Sequence, residues 1–226
     1  IGSNPYVYSA DGTLGIETYT SGNSIAIGGN TGQSPSMILP DNILTGASMV
    51  FGYDGTSSVP FRNIVIGGSN QSNGPIYLGD INAGGGSGYV AHNVNSSLTF
   101  RSPVILTSNV ELTSSYSISF VSSINSLTNS PSNSLELSGG DFVELNRVGN
   151  ITPLASLNVS ADWIGLARSI KTDGPQEYWG SVYIGDPNGG RTVRLTSIND
   201  HIAFFGTVDD ANYNDGMGGS NSLKIK

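Results

Sequence analysis

Residues 98–120 read LTFRSPVILTSNVELTSSYSISF, and this stretch decides the fold. Four short triplets, each with hydrophobic residues at its first and third positions, begin at residues 98, 104, 110 and 118. Alternation at period two predicts strands with one face turned inward. The triplets follow one another too closely for hairpins with long strands. Three steps lead from Leu98 to Ile118, which fits one strand-corner-strand coil of about 20 residues in a parallel β-helix.

Similar triplets recur outside this stretch, separated by Ser-Gly, Gly-Gly, Asn-Gly and proline-containing corners. Coils of this kind stack at about 4.8 Å. If all 226 residues coil in this way, the chain forms about eleven coils and a rod on the order of 50 Å long. The prediction is therefore an all-β parallel β-helix with almost no α-helix. The triplets lie at residues 14–16, 25–27, 64–66, 76–78, 143–145 and 157–159.

A long block of sequence occurs twice, at about residues 103–137 and again at about 181–225. Val104 matches Val182 near the start of the block, and Leu135 matches Leu223 near its end. The offset between the copies grows along the block because the second copy has longer corners. Repetition of this kind predicts stacked supersecondary units that share a continuous core.

The composition restricts the functions that the chain can have. Only 12% of the residues are charged, about half the usual share, whereas the chain has 34 Ser, 22 Asn, 15 Thr and 31 Gly. The net charge is −8, and the nine Lys and Arg form no basic stripe. We therefore expect no nucleic acid partner and no attraction to an anionic membrane surface.

Cysteine is absent, so disulfides, thiolate metal sites and a cysteine nucleophile are excluded. No apolar run is long enough to span a bilayer as a helix, and we expect no membrane insertion. The two histidines, His92 and His201, lack the spacing of a zinc site. The first and last residues both look like cuts through a longer polypeptide.

Several segments of the second half share a pattern with a known family. Residues 142–145 read FVEL, 148–157 read VGNITPLASL, and 170–185 read IKTDGPQEYWGSVYIG. LTS follows at 195–197 and IAFFGTVD at 202–209. This succession resembles the passenger repeats of filamentous-haemagglutinin-type exoproteins, which bacteria export by two-partner secretion.

The resemblance implies a right-handed β-helix, a secreted or cell-surface location and an adhesive or structural role. It covers residues 98–226, whereas residues 1–97 share only short Ile/Leu triplets and Gly-Asn corners. We therefore expect one β-helical segment, with irregular coils over 1–97 and haemagglutinin-like repeats over 98–226. Two features depart from the family: its amino-terminal secretion motif is absent, and Asp210 stands where the family has Gly.

An acidic loop at residues 209–216 is the best metal candidate. Its carboxylates and amides are oxygen ligands of the kind that Ca²⁺ prefers. However, its Gly falls one place late for the helix-loop-helix calcium pattern, and Asn and Asp also favour ordinary turns. Both interpretations stay open, and no other cofactor is expected. The candidate ligands are Asp209, Asp210, Asn212, Asn214 and Asp215.

Three aromatic residues, Trp163, Tyr178 and Trp179, are candidates for stacking on sugars, although such residues also fill the core of a β-helix. The main hypothesis is a segment of a secreted bacterial adhesin or extracellular filament that mediates cell-surface or cell-cell attachment. Its expected partners are an adjacent β-helix, further copies stacked end to end, and host or matrix glycans or proteins.

The alternative hypothesis is a β-helical polysaccharide lyase or hydrolase, which needs paired carboxylates or an Arg/Lys base on one face. Charged residues lie close together in sequence just before the second copy of the repeated block, although such residues also suit solvated corners. The main hypothesis includes no catalytic residues. The candidates are Asp162, Arg168, Lys171, Asp173 and Glu177.

Overall fold

A computed structural model describes most of the chain as β-strands joined by short corners. The described residues are 5–10, 12–18, 20, 22–28, 33–39, 62–68, 74–79, 90–94, 96–127, 132–185, 190–210 and 221–226. Within these ranges the fold is all-β, and no helix occurs. The predicted fold class is confirmed at this level.

Twenty strands make up the described part of the fold, and they belong to one sheet in which every pairing but one is parallel. The strands are β1 Pro5–Ala10, β2 Thr13–Thr18, β3 Ile25–Ile27, β4 Met37–Leu39, β5 Asn63–Ile66, β6 Ile76–Leu78, β7 Val90–Val94, β8 Ser97–Phe100, β9 Val104–Leu106, β10 Val110–Ser114, β11 Ser117–Ser126, β12 Leu135–Gly139, β13 Phe142–Val148, β14 Leu157–Leu166, β15 Ile170–Thr172, β16 Gln176–Ile184, β17 Thr192–Ser197, β18 Ile202–Phe204, β19 Val208–Asp210 and β20 Ser222–Ile225.

The strands form three stacks, and from β5 onward the described chain passes through them in the order stack 1, stack 2 and stack 3. Before β5, the consecutive strands β3 and β4 both lie in stack 2. Stack 1 contains β2, β5, β8, the first halves of β11 and β13, the second halves of β14 and β16, and β19. Stack 2 contains β4, β3, β6, β9, the ends of β11 and β13, and then β15, β17 and β20. Stack 3 contains β7, β10, β12, the first halves of β14 and β16, and β18. We call one passage through the three stacks a coil.

Strand alternation places the apolar residues of all three stacks in one core. In β10, for example, Val110 and Leu112 are buried while Glu111 between them lies on the outer side. Phe100 and Phe120 occupy the same register position on neighbouring coils and stack at 4.7 Å between ring centroids. Each core residue is thus covered by a residue from the next coil.

The coil length is confirmed where the sequence predicted it, because Leu98 pairs with Ile118. Later coils vary in length: the coil from Ile164 to its partner Val182 is shorter, and the coil from Val182 to its partner Val208 is longer. Before residue 98 the chain between partners is longer still, since Leu14 pairs with Ile64. Stack 1 has eight levels among the described residues, and the count of eleven coils stays a prediction.

The two copies of the long repeated block contribute to one core, as the repetition predicted, but they lie in different stacks. Val104 lies in stack 2 but its match Val182 lies in stack 1. Leu135 lies in stack 3 but its match Leu223 lies in stack 2. The second copy is thus displaced by one stack. Similar sequence can lie in different stacks because the strands of every stack have the same alternation of buried and outer residues. The repeating unit is one strand with its corner.

The two ends of the sheet are built differently. At the first end, β1 pairs antiparallel with β2, and β4 lies outside β3. At the other end lie β18, β19 and β20, whose residues are only partly buried or exposed. Val208 is 39% exposed although its register partner Val182 is fully buried.

Candidate functional site

The corner between stack 3 and stack 1 is built from small residues on successive coils. β16 makes this corner with the single residue Gly180, whereas β14 uses Ala161 and Asp162. Gly180 has a φ of +145°, and a Cβ there would collide with the carbonyl oxygen of Ala161. A Cβ on Gly206 would likewise collide with the carbonyl oxygen of Gly180. The backbones of three coils therefore lie in close contact, and large side chains stand on either side of this corner.

The first aromatic pair lies at the end of stack 3. Trp179 is 45% exposed and Phe205 is 51% exposed. Their rings stack with centroids 3.6 Å apart and planes 7° from parallel. The register explains the contact, because Tyr178 pairs with Phe204 and the next residues outward are Trp179 and Phe205. The predicted residue Trp179 is thus a surface aromatic.

The second aromatic pair lies at the start of stack 1. Trp163 is 51% exposed and stacks on Tyr183, with centroids 5.1 Å apart and planes 13° from parallel. In the register, Trp163 lies beside Phe142 of the preceding coil and Ser181 of the following coil. The Phe142 ring extends diagonally over Gly165. Trp163 is therefore bordered by aromatic residues on both neighbouring coils.

Tyr178, the third predicted stacking residue, does not belong to this surface. It is fully buried, because neighbouring residues of a strand point to opposite sides and Trp179, the next residue of β16, points outward. Its ring stacks on Phe204 at 5.2 Å, and its hydroxyl donates to Gln176 Oε1 at 3.0 Å. Burial raises the pKa of the Tyr178 hydroxyl. The prediction that Tyr178 stacks on an external ligand is therefore wrong.

Gln176 carries a polar group into the core beside Tyr178. Its Nε2 donates to Thr172 Oγ1 at 3.1 Å and to the carbonyl oxygen of Thr196 at 2.7 Å. Its register partners Leu157 and Ile202 are apolar, so Gln176 replaces one member of an apolar ladder. The buried amide keeps its hydrogen bonds, as burial of a polar group requires.

The outer face of stack 3 carries two parallel rows of polar side chains. Thr113, Ser138, Ser160 and Trp179 form one row, because they occupy the same register position on successive coils. The second row lies two residues earlier on each strand, and it includes three carboxylates and one amide. Its members are Glu111, Glu136, Asn158 and Glu177.

A histidine lies beside the second row at the last coil, where Ala203 is the register partner of Glu177. His201 Nδ1 lies 2.7 Å from Asp200 Oδ1, and His201 Nε2 lies 3.4 Å from Glu177 Oε1. The hydrogen bond that His201 donates to the Asp200 carboxylate raises the pKa of His201, and the hydrogen bond to Glu177 adds a smaller contribution in the same direction. The reciprocal bond lowers the pKa of Asp200. All three groups lie at the surface.

The calcium candidates are only partly described. Asp209 pairs with the outward residue Tyr183 and is exposed, whereas Asp210 pairs with the inward residue Ile184. The two carboxylates therefore point to opposite sides of β19, and they do not converge on one ion. The Asp210 carboxylate accepts hydrogen bonds from Asn221 N at 2.9 Å and Asn221 Nδ2 at 2.6 Å.

Asn212, Asn214 and Asp215, the other calcium candidates, lie outside the described residues. Within the described part of the chain, no three His, Asp or Glu side chains lie together in a way that could hold a metal ion.

The charged residues proposed for an enzyme lie on different parts of one coil. Arg168 follows stack 1, and Lys171 lies on the exposed side of β15 in stack 2. Asp173 precedes stack 3 and accepts a hydrogen bond from Ser132 Oγ at 2.9 Å. Glu177 lies in stack 3, and Asp162 lies at the corner between stack 3 and stack 1 on the preceding coil. Their closeness in sequence does not translate into a cluster on one face.

Sequence reasoning missed Phe205, Tyr183 and the row that contains Ser160. The side-chain alternation of β16 contains a signal for Tyr183, since it lies two residues after Ser181 on the outer side. No local signal points to the contact between Trp179 and Phe205, because these residues come from neighbouring coils.

No protein-family model matches this chain, and no curated protein or solved structure matches it either. A search for membrane-spanning helices found none among the described residues.

Proposed function

We propose that this chain is a segment of a secreted bacterial adhesin or extracellular filament, located outside the cell or at its surface. The protein acts through length and surface, and it mediates attachment to a cell or to another copy. The three stacks form a right-handed parallel β-helix of about eleven coils in this proposal. Adjacent β-helix or further copies continue it at its ends.

The observation that carries the proposal is the stacking of short parallel strands around one continuous apolar core. In such a structure each coil contacts only its neighbours, so the number of coils sets the length. The outer side adds support, because it carries hydroxyl, amide and carboxylate rows together with the exposed aromatics Trp163 and Trp179. The resemblance of residues 142–209 to haemagglutinin-type repeats agrees with this role.

Attachment is testable with the chain displayed on beads. Beads carrying the protein should adhere to cultured epithelial cells or to extracellular matrix more than beads carrying a scrambled-surface variant. Electron microscopy of the same protein should show elongated particles about as wide as one coil. Compact particles, or adhesion equal to that of the control beads, would count against the proposal.

The second candidate is a polysaccharide lyase or hydrolase, and one observation favours it. Glu111 and Glu136 occupy the same register position on neighbouring coils of stack 3. Their backbones are therefore about 4.8 Å apart. Two carboxylates on neighbouring coils of one face are the kind of pair that glycoside hydrolysis uses.

A depolymerisation assay on pectin, alginate and host glycans distinguishes the two candidates. Release of reducing ends or unsaturated products that is lost in Glu111→Gln or Glu136→Gln would favour the enzyme. Polysaccharides that keep their length on prolonged incubation would favour the adhesin.

A further inference from the structure

We propose that Trp179 is the stacking platform of a binding site for a neutral polysaccharide on the outer face of stack 3. The site lies over Ser160 and Asn158, on the side of the indole ring away from Phe205. This inference rests on the proposed function as an attachment protein and names the class of molecule that it recognises.

One face of the Trp179 ring is occupied and the other is open to a ligand. Phe205 covers the first face at 3.6 Å. On the other side, the register partner of Trp179 is Ser160, which has a small side chain and is exposed. Trp179 keeps 45% of its surface exposed despite the contact with Phe205.

The height of one coil suits a sugar ring. Neighbouring coils are about 4.8 Å apart. Pairs of aromatic rings stack at centroid separations of about 4.5–7 Å, so one coil is about the height of a stacked ring. A hexose that lies over Ser160 in place of a large side chain therefore occupies the next position of the Trp179–Phe205 ladder.

The residues around this position can bind sugar hydroxyls. Ser160 and Ser138 offer hydroxyls along the row that leads to Trp179. The Asn158 amide lies two residues away on the same face, with Glu136 and Glu177 in the same row as Asn158. Together they provide both donors and acceptors beside the open ring face.

The charges on this face select a neutral ligand. The ionisable members of the two rows are the carboxylates Glu111, Glu136 and Glu177, and the chain has a net charge of −8. An anionic glycan is therefore repelled. A quaternary ammonium group is normally bound in a cage of several rings, whereas Trp179 offers a single ring face.

Trp163 provides a matched control within the same molecule. It is exposed to a similar degree, at 51%, but Tyr183 covers one side of its ring and its register partner on the preceding coil is Phe142. The two tryptophans thus have a similar exposed fraction but differ in their register partner on the preceding coil, which is Ser160 for Trp179 and Phe142 for Trp163.

The test is isothermal titration with cellohexaose and chitohexaose as neutral probes, hexagalacturonate as an anionic probe, and tetramethylammonium as a cationic probe. Wild-type protein should bind at least one neutral hexamer. Trp179→Ala should weaken this binding at least about tenfold, and Trp163→Ala should change it less than about twofold. Since the chain has two tryptophans, the fluorescence of Trp163→Ala reports on Trp179 alone and should shift on binding.

A gain-of-size variant keeps the test decisive if Trp179→Ala fails to fold. Ser160→Tyr places an aromatic ring beside Trp179, where it covers the open face of the indole. Tyrosine is a residue that strands favour. The thermal melting temperature should be unchanged or raised, and binding should be lost at least about tenfold. Ser138→Tyr, one coil further away, should retain more binding than Ser160→Tyr.

The inference is overturned if neither neutral hexamer binds, if folded Ser160→Tyr binds as wild type does, or if hexagalacturonate or tetramethylammonium binds more tightly. Bead adhesion distinguishes this failure from failure of the proposed function. Adhesion that persists in Trp179→Ala, without hexamer binding, removes the glycan site and leaves the adhesin. Hexamer binding without adhesion removes the adhesin and leaves the site.

Discussion

The first and last coils present the same kind of residue to very different surroundings. At the first end, Leu14 and Ile16 of β2 are each only 1% exposed, because β1 pairs along the full length of β2. At the last end, Ile225 is 58% exposed, although its register partner Leu195 on the preceding coil is fully buried.

This difference shows that the burial of a residue in a stacked sheet depends on the position of its coil in the stack as much as on the residue type. An apolar residue is buried when a further coil or a covering strand lies beyond it. An uncovered edge also leaves backbone N–H and C=O groups without strand partners, which favours pairing with another chain. The antiparallel β1 covers one edge in this way, and β19 and β20 lie at the other.

The largest effect should come from a matched pair of truncations across the last level. Leu195→Ala should lower the free energy of unfolding by about 3 kcal/mol, because it leaves a cavity under a covering coil. Ile225→Ala should lower it by less than about 1 kcal/mol, because its side chain is already in water. Urea denaturation monitored by circular dichroism measures both free energies of unfolding. Equal losses in the two variants would contradict the inferred difference between a covered and an uncovered coil.

A smaller effect is expected from the polar pair in the core near the last end. Tyr178→Phe and Gln176→Leu should each cost about 1–3 kcal/mol, because each leaves a buried hydrogen-bonding group without its partner. The double variant should cost less than the sum, since it removes both groups of the Tyr178–Gln176 hydrogen bond.

The denaturation midpoints of the four proteins in this cycle provide the measurement. If the losses in the free energy of unfolding are additive, the two side chains act independently, and their hydrogen bond does not explain why polar side chains are buried here.

The proposed end-to-end stacking of copies should depend on the last coil. The double variant Val208→Lys with Ile225→Lys places charges at the uncovered edge and should make the protein more monomeric in sedimentation velocity. Its free energy of unfolding should change by less than about 0.5 kcal/mol, as for most surface substitutions. The matched control is Val121→Lys, which changes a residue of similar exposure, 51%, away from this edge.

The smallest effect should be a shallow pH dependence from His201 on the last coil. The hydrogen bond with Asp200 raises the pKa of His201 in the folded protein above its unfolded value. The stabilisation is therefore fully present below the unfolded pKa, and it is lost as the pH rises through the folded pKa. Melting temperatures should fall slightly over that interval.

Asp200→Asn tests the cause of this dependence, because it removes the carboxylate with the largest influence on His201. NMR titration of the imidazole protons should then give a lower His201 pKa, and the slope of the melting temperature should flatten. An unchanged titration would show that Glu177 or another group sets the pKa.

Local patterns predicted many of the strands, although β4, β15 and β19 were not among the predicted triplets. The triplets at 98–100, 104–106 and 110–112 lie in β8, β9 and β10, with the alternation of buried and outer residues that period two requires. The doubled block predicted units that share one core, but its second copy lies one stack away from the first. Every stack has the same period, so sequence similarity does not identify the stack.

The candidate site was predictable only in part. Trp163 and Trp179 are exposed as a ligand platform requires, but Tyr178 is buried. Gln176 accounts for this error. It is a polar residue at a buried position, so the sequence around it does not show the alternating apolar residues that would mark Tyr178 as buried. The hydrogen bonds of Gln176 to Thr172, Thr196 and Tyr178 become visible only when the coils are stacked.

The sequence by itself determined the positions of the alternating triplets, the length of the coil that begins at Leu98 and the low charge of the chain. These properties depend on neighbours along the chain. Only the tertiary structure decided that Trp179 meets Phe205 and Ser160, and that Leu195 is covered while Ile225 is not. Such contacts join residues about one coil apart, and the corner lengths that set each coil vary from one level to the next.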